Sequence, residues 1–215
     1  MKNKIQDMDV KGKKVLLRCD FNVPVKDGKI LDDSKIIASL RTINHLVKEG
    51  AKIIILSHFG KVKTAEDKEK NTLAPVAERL QELVDSKVIF CKHTRSLYIE
   101  AKIDNMKPGE IMLLENTRYE DVPDKLESGN DVQLAMYWAG LADIFCLDAF
   151  GSSHRKHAST YGVAKYLPSC VGFLVQQEVE ALNNYVLNAE KPFTILMGGA
   201  KVEDKVELIE VLLPK

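Results

Sequence analysis

Residues 52–58, KIIILSH, decide the fold class. Four consecutive apolar residues, 53–56, leave no polar face on the strand that this segment predicts. A strand that is apolar on both faces is typical of a parallel sheet covered by helices on both sides. Residues 15–21, 111–116 and 144–150 have the same character. The sequence therefore predicts a buried parallel sheet that contains these segments.

Helical segments alternate with these strands along the chain. Apolar residues recur at helical spacing in residues 34–50, a segment that ends at Gly50. Helices are also predicted over 73–84, 96–106 and 131–142, and a further strand over 87–93. This alternation predicts the α/β class, with a Rossmann-like, doubly wound parallel sheet in three layers, α/β/α.

The end of the sequence predicts a second, similar lobe that has only begun. After a short helix come a strand at 171–174, VGFL, and a long helix at 176–190. Pro192 follows, and another strand–helix unit closes the chain. We expect three parts: a first lobe over 1–172, a connecting segment over 173–191 and the incomplete start of a second lobe over 192–215. The polar segments 60–72 and 120–131 are expected to be exposed loops.

Composition argues against several classes of protein. The 215 residues include 31 basic and 31 acidic side chains, so no overall field attracts nucleic acid or a membrane surface. The N-terminus is too polar for a signal peptide, and no apolar run approaches the roughly 20 residues of a membrane span. The four cysteines stand singly and are expected to be small buried side chains in a reducing compartment. They are Cys19, Cys91, Cys146 and Cys170.

Cationic and hydrogen-bonding residues follow four of the predicted strands. They are Arg18, Asp20 and Asn22; His58, Gly60 and Lys61; Arg118; and His154, Arg155, Lys156 and His157. In open α/β sheets, ligands bind outside the carboxyl ends of the strands, so these residues are expected at one edge. Arginine's planar fork suits phosphate and carboxylate, and histidine adds donors when protonated. The pattern predicts a small anion held between several loops.

Other interpretations of these residues are weaker. His154 and His157 have no carboxylate or cysteine at metal-ligand spacing, and Arg155 would repel a cation, so no metal site is predicted. Tyr137 and Trp138 are expected to pack in the core. A solvated loop of mixed charge explains any single cluster, but four clusters on one edge favour a pocket.

Residues 193–205, FTILMGGAKVEDK, predict a second phosphate-binding element. A strand runs into Gly198 and Gly199, and the helix that follows carries Lys201 and Lys205. Glycines between a strand and a helix place backbone N–H groups at a helix N-terminus, where phosphate binds. The spacing differs from that of a Walker P-loop.

Six collinear motifs resemble the phosphoglycerate kinase family from about residue 11 to the end of the chain. They are RCDFNVP (18–24), SHFGK (57–61), LAPVAERL (73–80), LLENTRYE (113–120), DAFGSSHRKHAS (148–159) and GGAKVEDK (198–205). The resemblance implies reversible phosphoryl transfer between 1,3-bisphosphoglycerate and ADP, giving 3-phosphoglycerate and ATP in glycolysis, with Mg²⁺ accompanying the nucleotide. It also implies a cytoplasmic, usually monomeric enzyme, with phosphoglycerate on the first lobe and nucleotide on the second. No nucleic acid or membrane is expected as a partner.

The resemblance assigns roles to individual residues. Catalytic roles fall on Arg18, Lys35 and Lys201. Substrate binding falls on Asp20, Asn22, His58, Lys61, Arg118, Gly151, Arg155 and His157. Nucleotide binding falls on Gly199, Lys201 and Lys205. No residue is assigned to a protein-bound metal.

Three positions depart from the family pattern. Lys35 and Lys61 stand where the family has arginines, and Leu147 stands where it has an asparagine. Lysine keeps the charge but loses the planar fork. A non-catalytic, phosphoglycerate-kinase-like binding or regulatory protein is therefore the alternative function, and an unrelated α/β phosphosugar enzyme is a third. Because little of the second lobe is represented, the 215-residue chain alone is expected to be inactive.

Overall fold

The computed structural model describes residues 3–188, 190–196, 206, 209 and 210. Its strands are β1 (Lys14–Cys19), β2 (Val25–Lys26), β3 (Lys29–Ile30), β4 (Lys52–Leu56), β5 (Val88–Cys91), β6 (Ile111–Leu114), β7 (Ile144–Asp148) and β8 (Ser169–Val171). Its α-helices are α1 (Ser34–Lys48), α2 (Ala65–Lys70), α3 (Ala74–Leu83), α4 (Leu97–Asp104), α5 (Val132–Gly140) and α6 (Phe173–Leu182). Short 3₁₀ or π-helical turns cover Ile5–Asp7, Thr117–Asp121, Phe150–Ser152, Ala158–Gly162, Val163–Lys165 and Asn183–Leu187.

Six strands form one sheet in the order β5-β6-β4-β1-β7-β8. Every neighbouring pair is parallel, which confirms the predicted Rossmann-like sheet. The remaining strands, β2 and β3, pair as a separate antiparallel hairpin. From β1 the chain places β4 and then β5 on one side, and returns to insert β6 between them. It then crosses to the other side of β1 to form β7 and β8. The switch point of the sheet therefore lies between β1 and β7, where Cys19 pairs with Asp148.

Alternate residues of each strand enter two separate hydrophobic cores. On one face, Leu17 of β1 and Ile55 of β4 pack in the cluster that includes Ile43 of α1 and Leu80 of α3. On the other face, strand residues such as Leu16 pack in the cluster that includes helix residues of α4 and α5, with Trp138 fully buried. Helices therefore cover both faces of the sheet, as the doubly apolar strands predict.

The four cysteines are buried and free, as predicted for small core side chains. Trp138 is also a core residue, and its indole Nε1–H donates to the carbonyl oxygen of Thr94 at 2.8 Å. Tyr137 donates its hydroxyl to the Ser96 carbonyl oxygen at 3.2 Å. Among the described residues, no helix combines the length and the apolar character needed to cross a membrane.

The two segments predicted as exposed loops differ from that expectation. Residues 60–72 contain α2, and the N-cap residue of this helix, Thr64, forms a capping box with Asp67. Residues 120–131 are partly buried, because Asp121 and Glu127 turn inward toward basic and hydroxyl groups.

The predicted VGFL strand (171–174) is wrong after its first residue, Val171. Strand β8 ends at Val171, and α6 begins at Phe173. The cause is Asp148, whose Oδ1 accepts from the N–H groups of Leu174 at 3.0 Å and Val175 at 3.2 Å. A carboxylate that satisfies the first N–H groups of a helix fixes where that helix begins.

The chain divides into two units, Met1–Gln176 and Gln177–Lys215. The first unit contains the whole sheet. In the second, the described residues include the end of α6 and the π-helical turn Asn183–Leu187. The lobe boundaries expected at residues 172 and 191 stay predictions.

Candidate anion-binding site

Four neighbouring strands bring the predicted site residues to one edge of the sheet. β6, β4, β1 and β7 are adjacent in that order, and all are parallel. Their carboxyl ends therefore lie side by side. Contacts and electrostatic effects show that Arg18, His58, Arg118 and His157 lie close together there.

Arg18 is a fully buried arginine on β1. Its Nε–H donates to Oγ of Ser159 at 2.9 Å, and its Nη1 donates to the carbonyl oxygen of Cys19. Burial lowers the pKa of Arg18, and the negative charges of Glu127 and Asp20 oppose this shift. Arginine remains charged in proteins, so the site holds a positive charge below its surface.

His58 is held by Arg18 in a defined tautomer. Nη2 of Arg18 lies 3.2 Å from Nδ1 of His58. Because arginine only donates, Nδ1 accepts, and the ring proton of the neutral imidazole is on Nε2. Burial, followed by the positive charge of Arg18, lowers the pKa of His58 to about 3. His58 is therefore neutral near pH 7 and offers one N–H donor.

His157 is also neutral near pH 7. Burial lowers its pKa to about 4, and the charges of Arg118, Arg155 and Arg18 act in the same direction. Near pH 7 each of the two rings therefore offers one N–H donor, and it would offer a second only when protonated. The physical reason is first the burial of both rings and then the positive charge of the neighbouring arginines, which disfavours additional positive charge.

Arg118 joins the site from the 3₁₀ turn that follows β6. Its Nη1 donates to Oδ2 of Asp121 at 2.6 Å, and both side chains are largely buried. Oδ1 of Asp121 accepts from the N–H of Ser128 at 2.7 Å. Within the described part of the chain, the buried Nε of Arg118 has no hydrogen-bond partner. A buried donor without a partner is costly, and a bound anion could supply one.

Asp20 and Asn22 organise the loop after β1. Asp20 accepts from Nζ of Lys35 at 3.1 Å and from the N–H of Asn22 at 3.1 Å. Asn22 in turn accepts from the N–H of Gly60 at 2.9 Å. A Cβ at Gly151 would lie 3.3 Å from Oδ2 of Asp20, so glycine permits a close approach there.

Some predicted residues have weaker connections to this cluster. Lys61 is exposed, and its backbone oxygen accepts from the Asn71 side chain at 3.2 Å. Arg155 is exposed, although its charge contributes to the lowered pKa of His157. Leu147 packs against the core that contains Trp138. The predicted nucleotide residues, Gly199, Lys201 and Lys205, lie outside the described residues.

Glu127 and Ser159 are site residues that the sequence analysis missed. Ser159 accepts from Arg18 and donates to Oε1 of Glu127 at 2.5 Å. Both residues are fully buried. They are separated by 32 residues, and Ser159 lies 141 residues from Arg18, so no local pattern connects them.

Asn116 was also missed as a scaffold residue, although it lies in the LLENTR motif. Its Oδ1 accepts from the N–H groups of Phe59 and Arg118, each at 3.0 Å. Its Nδ2 donates to the carbonyl oxygens of Phe59 at 2.6 Å and Asn71 at 2.8 Å. An amide at the end of the predicted strand 111–116 was the available signal. Asn116 joins the loop after β4 to the turn that carries Arg118.

The fold and this geometry define an α/β protein with a cationic site at the switch point of a parallel sheet. The family model described as phosphoglycerate kinase matches residues 5–215. The phosphoglycerate kinase of Macrococcus caseolyticus is 49% identical over 213 residues, which is 99% of this chain and 54% of the relative. That of Lacticaseibacillus casei is 51% identical over 212 residues, with 98% and 54% covered.

Solved structures agree with the sequence comparison. The phosphoglycerate kinase from Coxiella burnetii superposes with a TM-score of 0.85 at 36% identity, covering 100% of this chain and 53% of that one. The chain belongs to the phosphoglycerate kinase family. It spans about half the length of the relatives that it matches.

Proposed function

We propose that this chain supplies the phosphoglycerate-binding half of a phosphoglycerate kinase. The reaction is reversible phosphoryl transfer between 1,3-bisphosphoglycerate and ADP, giving 3-phosphoglycerate and ATP in glycolysis. The observation that carries the proposal is the convergence of Arg18, His58, Arg118 and His157 at one edge of the sheet. Membership of the family supports the same reaction.

The basic residues would bind the phosphate and carboxylate groups of the substrate. Arg118 and Arg155 offer guanidinium forks, and the neutral histidines His58 and His157 each offer one N–H donor. Arg18 supplies a buried positive charge. Positioning and electrostatic stabilisation dominate phosphoryl transfer, so a preformed cationic site is the expected contribution of this half.

The remaining assignments follow the family resemblance. Lys35 would act near the reacting group, and Lys201 would neutralise the transferring phosphoryl. Asp20, Asn22, Lys61 and Gly151 would shape the substrate site, and Gly199 and Lys205 would contact the nucleotide. We propose the same three parts as above, with lobe boundaries near residues 172 and 191, in a monomeric cytoplasmic enzyme.

Magnesium would enter with ADP or ATP, whose phosphate charge it neutralises when bound. The anion-binding site itself does not fit a metal ion, because Arg18, Arg118 and Arg155 surround His58 and His157 with positive charge. Among the described residues, no three His, Cys, Asp or Glu side chains are grouped as ligands. The proposed partners are thus small molecules: 3-phosphoglycerate, 1,3-bisphosphoglycerate and the magnesium nucleotide.

Calorimetric titration of the 215-residue chain with 3-phosphoglycerate tests the site. We expect weak binding whose affinity falls as salt is raised, because the attraction is electrostatic. No heat of binding at low salt and millimolar ligand would remove the site assignment. Inorganic sulfate serves as the control for an unspecific anion effect and should bind less tightly than 3-phosphoglycerate.

A non-catalytic relative is the second candidate, and Lys35 is the observation that favours it. Lys35 is engaged with Asp20 at 3.1 Å, at a position where the resemblance implies an arginine. A coupled assay on a protein that carries both lobes separates the two functions. ATP formation from 1,3-bisphosphoglycerate supports the kinase, whereas binding of 3-phosphoglycerate without turnover supports the non-catalytic relative.

A further inference from the structure

Glu127 is a fully buried carboxylate that contacts the segment carrying His157. Its Oε2 accepts from the N–H of Ser159 at 2.9 Å, and its Oε1 accepts from the Ser159 hydroxyl at 2.5 Å. Oε1 also lies 3.7 Å from Nδ1 of His157. Both carboxylate oxygens therefore hold Ser159, and one of them also lies beside His157.

The hydrogen bonds between Arg18, Ser159 and Glu127 have a fixed direction. Nε–H of Arg18 donates to Oγ of Ser159 at 2.9 Å. Burial raises the pKa of Glu127, and the charge of Arg18 is the largest effect that opposes this shift. With Glu127 ionised beside Arg18, the arginine can only donate and the carboxylate can only accept, so the Ser159 hydroxyl donates its hydrogen bond to Glu127. The carboxylate thereby sets the rotation of the hydroxyl and turns its lone pair toward Arg18.

Glu127 is also the principal counter-charge of Arg18. Burial disfavours the charged guanidinium, and among the opposing charges Glu127 has the largest effect, ahead of Asp20. Asp20 is shared with Lys35. Ser159 and Glu127 lie on the Nε side of the Arg18 guanidinium. Nη2, on its other side, lies beside His58 at the site proposed for the anion.

We propose that Glu127 is a positioning residue for Arg18, acting through the Ser159 hydroxyl. It holds the guanidinium at a fixed orientation and keeps His157 in register with it, so the anion-binding site is formed before the ligand arrives. This inference rests on the proposed function for the identity of the ligand. A group fixed in advance loses less conformational freedom when the ligand binds.

Nuclear magnetic resonance of the chain labelled with ¹⁵N-arginine tests the link directly. In the wild-type chain, we expect the Nε–H of Arg18 to exchange slowly with water. Glu127→Gln keeps the size of the side chain but removes its charge and one acceptor. We expect that exchange to become at least about tenfold faster, and the dissociation constant of 3-phosphoglycerate to rise about ten- to a hundredfold, as for loss of a hydrogen bond to a charged group.

Two further variants separate positioning from general destabilisation. Ser159→Ala removes the hydroxyl but keeps the N–H bond to Glu127, so it should reproduce both effects, and the double variant should add little. Glu110→Gln is the matched control, since Glu110 precedes β6 at the opposite edge of the sheet and pairs with Lys87 at 3.6 Å. It should change neither measurement.

The outcomes distinguish this inference from the proposed function. If wild-type protein does not bind 3-phosphoglycerate, the function fails, and the exchange of the Arg18 Nε–H still decides the role of Glu127. If Glu127→Gln does not fold, Ser159→Ala carries the test. Unchanged exchange in the folded variants, or unchanged affinity in a chain that binds, would overturn the proposal.

Discussion

Nζ of Lys35 lies 3.1 Å from Oδ2 of Asp20, which joins the start of α1 to the loop after β1. The lysine side chain is 47% exposed, and that of the aspartate is 15% exposed. Solvent screens such a pair, so it contributes little to stability. Its importance is instead geometric, because the charge of Asp20 also opposes the lowering of the Arg18 pKa by burial. In addition, Oδ2 of Asp20 lies 3.3 Å from where a Cβ at Gly151 would be.

Replacing Lys35 and Lys61 by arginine should restore planar forks at two family positions. We expect Lys35→Arg with Lys61→Arg to tighten 3-phosphoglycerate binding by about 1–3 kcal/mol, the scale of a charge-assisted hydrogen bond. Calorimetric titration measures the change. Lys156→Arg is the control, since Lys156 is exposed with Nζ 5.9 Å from the ring of Tyr161. Unchanged or weaker binding in the double variant would favour the non-catalytic relative.

Replacing Arg118 and replacing Arg155 should have different effects on the stability of the fold. Arg155→Ala should weaken 3-phosphoglycerate binding with little change in stability, because Arg155 is exposed. Arg118→Ala should weaken binding and also destabilise the fold by about 3 kcal/mol, since Asp121 would remain buried without its partner. Titration and urea denaturation, followed by the fluorescence of the single tryptophan, Trp138, measure the two effects. Equal stability loss in both variants would contradict the ion-pair geometry.

Stability should fall as the pH is lowered from about 6.5. Folding lowers the pKa of His58 from 6.5 to about 3 and that of His157 to about 4. The unfolded chain therefore binds more protons between these values, and the free energy of unfolding decreases as the pH falls through this window. Below about pH 3 these two groups cause no further loss.

His58→Asn tests that dependence, because asparagine can accept from Arg18 but does not titrate in this range. Denaturation between pH 7 and pH 4 should show a smaller loss of stability in this variant than in wild-type protein. His154→Asn changes an exposed histidine and serves as the control. Identical pH profiles for wild type and His58→Asn would show that His58 is not buried in the neutral form.

Two glycine substitutions should differ in their effect on the free energy of unfolding. At Gly172 an added Cβ would lie 2.4 Å from Cγ of Asp148, so Gly172→Ala should cost at least about 2 kcal/mol by displacing the carboxylate that caps α6. At Gly140, within α5, an added Cβ meets no described atom within 4 Å. Gly140→Ala should be neutral or stabilising by up to about 1 kcal/mol. Thermal unfolding of both variants tests this prediction. Equal unfolding temperatures for Gly172→Ala and Gly140→Ala would count against the close approach of Gly172 to Asp148.

The sequence was sufficient to predict the sheet and the edge at which Arg18, His58 and Arg118 meet. Strands that are apolar on both faces require helices on both sides, and parallel strands place their carboxyl ends together. The convergence of Arg18, His58 and Arg118 follows from those two rules. The capping box of Thr64 and Asp67 was also visible in the sequence, so α2 could have been predicted.

Other features depend on contacts between distant residues. Glu127 lies in a polar segment and becomes a core residue only because Ser159 and Arg18 fold against it. The neutral state of His58 results from burial and from positive charges that lie far away in the chain. Similarly, Asp148 sets the start of α6, and no local pattern in residues 171–174 contains that information.

The distance of 141 residues between Arg18 and Ser159 has a consequence for biosynthesis. Ribosomes add about 5–20 residues per second, so Arg18 is made on the order of ten seconds before its hydroxyl partner. For most of that interval β1, the strand between β4 and β7, lacks its second neighbour, because β7 (Ile144–Asp148) is made late. Until Glu127 has been made, a nascent chain presents both an open strand edge and a guanidinium without its principal counter-charge. The cationic edge of the sheet should therefore be among the last features of the first unit to mature.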